Sequence, residues 1–176
     1  MSKKKNIPGA LVDAETYLNG SNNLAGISEV ELPKMEYTTV TTEQFGMTAE
    51  IEVPLIGHLK KMDFKLKIEH INETLGSVAT DDAIMFEVKG ASQEINAETH
   101  GRKLVGIDVI VKGLIKSYDG PKMKAGDKME TSIEVAATYY ELIVNGKQIF
   151  KIDVFNGILE AGGKSNAEVR RLLGLI

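Results

Sequence analysis

The chain has 176 residues, 43% of them hydrophobic and 26% charged, which suits one ordinary soluble core and excludes disorder throughout. Lys and Arg number 21 against 25 Asp and Glu; the net charge of −4 argues against a general nucleic-acid binder, which needs a cationic surplus to displace counterions. With no cysteine, there is no disulfide framework, zinc–thiolate site or cysteine nucleophile, and the longest apolar runs, about five residues, fall far short of a membrane span.

Lys3, Lys4 and Lys5 open the chain, but no apolar stretch follows them. They read as a solvated tail, not a secretory signal. Thr16-Tyr17-Leu18 then runs into Asn19-Gly20, a pair that tolerates the positive φ of a tight turn. From Thr48 the apolar period is two. Ala49, Ile51, Val53 and Leu55 alternate with Thr48, Glu50 and Glu52; Met62, Phe64, Leu66 and Ile68 alternate with Asp63, Lys65, Lys67 and Glu69. With Gly57 between them, the two segments predict a hairpin over Met47 to Ile71, each strand dry on one face. Asn72 to Thr80 predicts a short helix weakened by Gly76, and Ala83 to Ala91 a further strand.

A second long pair follows. Leu104 to Ser117 carries Val105, Ile107, Val109, Val111 and Ile115 on one face; Met129 to Val144 answers with Ile133, Val135 and Tyr139 against Glu130, Ser132 and Glu134. Residues 118–128 between them, with Gly120-Pro121 and a charge cluster, predict an exposed loop. Asn145-Gly146, flanked by apolar runs, predicts a type I′ hairpin. Ser165 with Glu168 suggests a capping box for a C-terminal helix that Gly174 ends. The reading is all-β, about seven or eight strands with two short helices, in one domain over 1–176: an arm at 1–11, a β core at 12–158 and a C-terminal arm and helix at 159–176.

Catalytic patterns are missing. His58, His70 and His100 have no metal-ligand spacing, no G-x-S-x-G occurs, and Glu50 with Glu52 reads as a solvated strand face. Gly157 to Ser165 approaches a phosphate loop, but the spacing is one residue too long and Glu160 would repel phosphate. No catalytic, cofactor or metal site is expected, and a binding or structural role is favoured over an enzyme.

The order of several segments resembles the major tail tube protein of contractile-tailed bacteriophages, a family that also supplies R-type bacteriocin tubes. The segments are Tyr17-Leu18-Asn19-Gly20 ahead of Leu32-Pro33-Lys34, Gly46-Met47, Asp82-Ala83, Thr138 to Leu142 running into Asn145-Gly146-Lys147, Ile152 to Asn156, and Arg170 to Leu175. The resemblance implies a two-sheet, barrel-like β fold. Long hairpins would form an inner barrel across subunits, in hexameric rings stacked into a tube. It implies a tail sheath outside, tape-measure, baseplate and tail-terminator proteins as partners, and DNA passing without specific binding. It also implies a place in the virion tail after assembly in the host cytoplasm. On that model the lumen is lined by Thr48, Glu50, Glu52, Asp63, Lys65, Lys67, Glu69, Asp108, Lys112, Lys116, Glu130, Ser132 and Glu134, a net −3 per chain. Thr41, Thr42, Glu43, Gln44, Phe45, Gly46 and Met47 would reach the neighbouring ring, with Phe45 and Met47 as apolar anchors. Leu172, Leu173, Leu175 and Ile176 would contact adjacent subunits. Two other readings are a type VI secretion-like tube protein, which would carry effectors, and a small-ligand-binding β-barrel. The latter is poorly supplied, with no Trp, five Tyr and five Phe.

Overall fold

The computed structural model describes residues 6–20, 26–43, 48–70, 73, 75–78 and 82–175. Eleven strands and two short helices occur among them. The strands are β1 (Ile7–Leu18), β2 (Ile27–Glu31), β3 (Tyr37–Thr42), β4 (Ile51–Leu59), β5 (Met62–Ile68), β6 (Ile84–Ile95), β7 (Arg102–Tyr118), β8 (Thr131–Val144), β9 (Lys147–Asp153), β10 (Ile158–Ala161) and β11 (Lys164–Ser165). The helices are α1 (Leu75–Val78) and α2 (Ala167–Leu172). The all-β reading and its two short helices hold.

Nine strands form one sheet in the order β1-β6-β7-β8-β9-β10-β11, all antiparallel. β8 is long enough to serve two partners along its second edge. Its residues 131–137 pair with β5, which carries β2, and residues 139–144 pair with β9. β7 and β8 pair as the sequence predicts, joined by an exposed polar loop.

The predicted hairpin over Met47 to Ile71 does not form. β4 pairs with β3, in a separate two-stranded sheet, and β5 pairs with β8 and β2. Both strands carry the same period, and period alone does not select a partner. The break falls at Lys60-Lys61, where the Lys60 amide donates to the Glu36 carbonyl at 2.7 Å and ties the foot of β4 back to β3.

The core lies on one face of the nine-stranded sheet. Phe64, Leu66, Phe86, Val111, Ile133 and Val135 are wholly buried, and the Phe64 and Phe86 rings meet at 5.4 Å between centroids. Each such side chain contributes roughly 1.5–3 kcal/mol by leaving water. On β8 the alternation changes phase. Ile133, Val135 and Ala137 are buried, but so are Tyr140 and, in part, Leu142. The cause is a bulge at Thr138: Lys112 faces Tyr139 while Gly113 faces Ala137. Tyr139, expected beside Ile133 and Val135, therefore turns to the open face, and Tyr140 takes the buried place.

Turn chemistry follows the sequence. Asn145 and Gly146 have φ of 50° and 74°, Asn19 and Gly20 of 49° and 78°. Gly157 to Ser165 is a tight β10–β11 hairpin turning at Gly162-Gly163, not a phosphate loop. The Ser165 hydroxyl accepts from the Ala167 amide at 3.0 Å, two residues on, and Asn166 occupies the N-cap position without a side-chain cap. Gly174 ends α2 as predicted: at φ 71° its amide donates to the Arg171 carbonyl and the Leu175 amide to that of Arg170, both at 3.0 Å.

Candidate assembly surfaces

Two surfaces stand out, one polar and one apolar. The polar one is the face of the nine-stranded sheet opposite the core. Register fixes its members. Lys65 lies opposite Glu134, Lys67 opposite Ser132, Lys112 opposite Tyr139, and Lys89 opposite Asp108. Of the sequence-predicted lumen residues, Asp63, Lys65, Lys67, Asp108, Lys112, Lys116, Ser132 and Glu134 come together here, with Glu69 and Glu130 just beyond the ends of β5 and β8. Thr48, Glu50 and Glu52 are exposed but belong to the β3–β4 side.

The charges on this face are cross-braced. Lys116 bridges Asp63 at 3.3 Å and Glu134 at 3.0 Å, tying β5, β7 and β8, and Lys61 also reaches Asp63 at 3.2 Å. The hydrogen bond to Glu134 and the nearby Asp63 raise the Lys116 pKa. Burial alone would raise the Asp63 carboxyl, but hydrogen bonds from Lys61 and Lys116 outweigh it and hold its pKa low. The Lys112 ammonium sits 5.0 Å from the Tyr139 ring centroid. The Tyr139 hydroxyl donates to Glu141 at 2.5 Å; burial and that bond raise its pKa. Lys116 thus holds acids on two neighbouring strands in place, and over β5, β7 and β8 the lysines balance the acids.

Sequence reasoning missed part of this face. Glu15 and Tyr17 of β1 and Glu87 and Lys89 of β6 lie on it, the Lys89 ammonium 5.7 Å from the Tyr17 ring centroid and 3.1 Å from Glu87. The alternation in 84–89 carried that signal. Leu114 also stands there, half exposed.

The apolar surface is the β3–β4 hairpin. Val40 lies opposite Val53, and Thr42 opposite Ile51. Val40, Ile51, Val53 and Leu55 are 47%, 50%, 46% and 36% exposed, so one face of the hairpin is apolar and uncovered. The hairpin is pinned at its foot, where Glu36 accepts from Lys34 at 2.9 Å and from Lys60. These bonds, Lys60 first, hold the Glu36 pKa down to about 2. The hairpin leads to the predicted inter-ring segment. Thr41 and Thr42 end β3 and Glu43 follows, while Gln44, Phe45, Gly46 and Met47 lie outside the described residues. At the other terminus Leu172, Leu173 and Leu175 are 79%, 69% and 62% exposed, and Ile176 lies outside the described residues.

A charged sheet face opposite a one-sided core, beside an uncovered apolar hairpin, is the build of a subunit that meets other chains. The fold is similar to that of a chain from the sheath–tube complex of an extracellular contractile injection system, PVC, in its extended state. The TM-score is 0.52 at 13% identity, over 78% of this chain and 90% of that one. The β architecture is thus shared with a chain of that complex. The chain belongs to the phage tail tube protein FII family, whose model matches residues 8–174. It is 27% identical to the tail tube protein of Escherichia phage P2 over 175 residues, 96% of this chain and 99% of that protein. It is 25% identical to the major tail tube protein of Serratia phage KSP20 over 159 residues, 90% of this chain and 91% of that protein. The chain is a tail tube protein of the contractile phage and phage-like class, a structural component of the tail and not an enzyme.

Proposed function

We propose that this chain forms hexameric rings that stack into the hollow inner tube of a contractile tail. The nine-stranded sheet turns its charged face to the lumen, and strands of adjacent copies continue one barrel around the ring. The observation that carries this reading is the continuous charged face over β1, β6, β7, β8 and β5, made net acidic by Glu15, Glu69, Glu87 and Glu130, opposite a core that fills only the other side. Barrel continuation also pairs the outer edge of β1, which no strand among the described residues covers. The segment Thr41 to Met47 reaches the next ring, and the C-terminal leucines cover part of an adjacent copy. Residues 1–176 act as one tube unit with terminal arms. A sheath of other chains surrounds the tube, a reading supported by the likeness to a chain of the PVC sheath–tube complex. A tape-measure protein sets its length, and baseplate and terminator proteins close its ends. Contraction drives the tube through a bacterial envelope. In an infectious particle DNA then passes, and the acidic wall keeps it from sticking.

The chain lacks cysteine, so single engineered thiols report cleanly on which face is enclosed. In assembled tubes, Asp108→Cys should react with a small maleimide and be shielded from a maleimide carried on a protein larger than the bore. Equal reaction with both reagents would put this face on the outside.

A further inference from the structure

The lysines of the charged sheet face are largely engaged within the chain. Lys116 holds Asp63 and Glu134, Lys89 holds Glu87 at 3.1 Å, and Lys67 holds Glu29 across the β2–β5 pair at 2.5 Å. Lys112 makes no ion pair among the described residues; its ammonium lies over the Tyr139 ring instead. Lys65 has neither kind of partner, but register sets Glu31 and Glu134 opposite it, one on each side.

Two tyrosines repeat one arrangement. Each ring lies beneath a lysine ammonium while its hydroxyl donates to a glutamate two residues away, Tyr17 to Glu15 at 2.7 Å and Tyr139 to Glu141 at 2.5 Å. The Lys116 and Lys89 side chains are 41% and 52% exposed, and ion pairs so exposed add little to stability. Their larger effect is on what approaches. A free lysine that meets a phosphate displaces a condensed counterion into bulk solution, and that release drives the contact. A lysine drawn off a tethered carboxylate leaves that carboxylate to take up a cation of its own. The exchange then releases no ion on balance, and the drive is lost.

We propose that the paired acids of this face are tethered counterions, which keep its lysines closed to a passing polyanion. This rests on the lumen placement proposed above and adds which residues decide adhesion: Asp63 and Glu134 through Lys116, Glu87 through Lys89, and Glu29 through Lys67. The pairing explains how the wall carries lysines at all. Over β5, β7 and β8 they balance the acids, and left free they would be phosphate contacts. Braced across strands, they instead fix the positions of the acids that a polyanion meets.

The test uses the full chain, assembled, and a short fluorescent single-stranded oligonucleotide followed by anisotropy at rising salt. Asp63→Asn with Glu134→Gln removes two charges and releases Lys116. Asp108→Asn with Glu130→Gln removes two charges that make no ion pair among the described residues. The first pair should bind at least tenfold more tightly than the second at low salt, with log K falling by about 0.7 per log unit of salt for each lysine engaged. Adding Lys61→Gln and Lys116→Gln to the first pair should abolish the gain, since Lys61 also holds Asp63. Equal binding by the two pairs, or none by either, would overturn the tethering, as would binding that survives loss of both lysines. On the unassembled chain, where the face is open, the variants should rank the same way. The same gain in tubes with the oligonucleotide fixed to a bead wider than the bore would put the face outside, overturning the lumen placement while the tethering stands.

Discussion

At the residue scale, one extra residue decides which side chains face out. The bulge at Thr138 reverses the phase of β8, so Tyr139 joins the charged face and Tyr140 the core. The apolar period of Ile133 and Val135 is plain in the sequence, but two adjacent tyrosines look alike to a period of two, and nothing local marks the bulge. Gly113 is its counterpart on β7. A Cβ there would collide with the Ala136 carbonyl oxygen, so Gly113→Ala should cost about 1–3 kcal/mol in denaturant unfolding. Phe64→Ala, at the centre of the core, should cost about 3–5 kcal/mol by the same measurement. Glu36 supplies a pH signature. Its carboxyl is held below its ordinary 4.5, at about 2, so the stability it adds is complete above pH 4.5 and is lost as pH falls through about 2. Glu36→Gln should therefore melt below the parent at pH 6, and the gap should close in a series of melts run down to pH 2.

At the element scale, the long central strands are legible in the sequence, whereas the short β2, β3, β10 and β11, and one pairing, are not. β5, β6, β7, β8 and the Asn145-Gly146 hairpin follow from alternation and turn chemistry. β4 does not find β5, because register is selected by the face that becomes buried, and β4 buries little within its own chain. Its apolar residues announce a core to any sequence reading, yet they lie uncovered on the β3–β4 hairpin. Apolar surface without a partner in the chain looks the same in sequence as apolar surface inside a core. Replacing residues 39–54 with a short Gly-Ser linker should leave the nine-stranded sheet folded, with near-native far-UV circular dichroism and a compact monomer on a sizing column. It should abolish assembly. Normal tubes from the shortened chain would show that the hairpin has no part in them.

At the scale of the whole molecule, the predicted lumen residues fall into two groups. Those on β5, β7 and β8 share one face because β8 pairs with both β5 and β7. Thr48, Glu50 and Glu52 join that group only through a β4–β5 hairpin, which does not form. The wall drawn from the structure also includes Glu15, Glu87 and Lys89, which long-range pairing of β1 with β6 brings in. If this wall lines the bore, its acidity sets how DNA passes. Tubes carrying Asp108→Lys and Glu134→Lys should retain DNA at low salt and release it as salt rises, where parent tubes retain none. The most direct test of the tube assembly is electron microscopy of the concentrated protein, with end-on views classified for symmetry. Six-fold rings and hollow tubes are expected, their bore walled by the β5–β7–β8 face. Compact monomers alone, even with a baseplate supplied as a seed, would contradict the assembly.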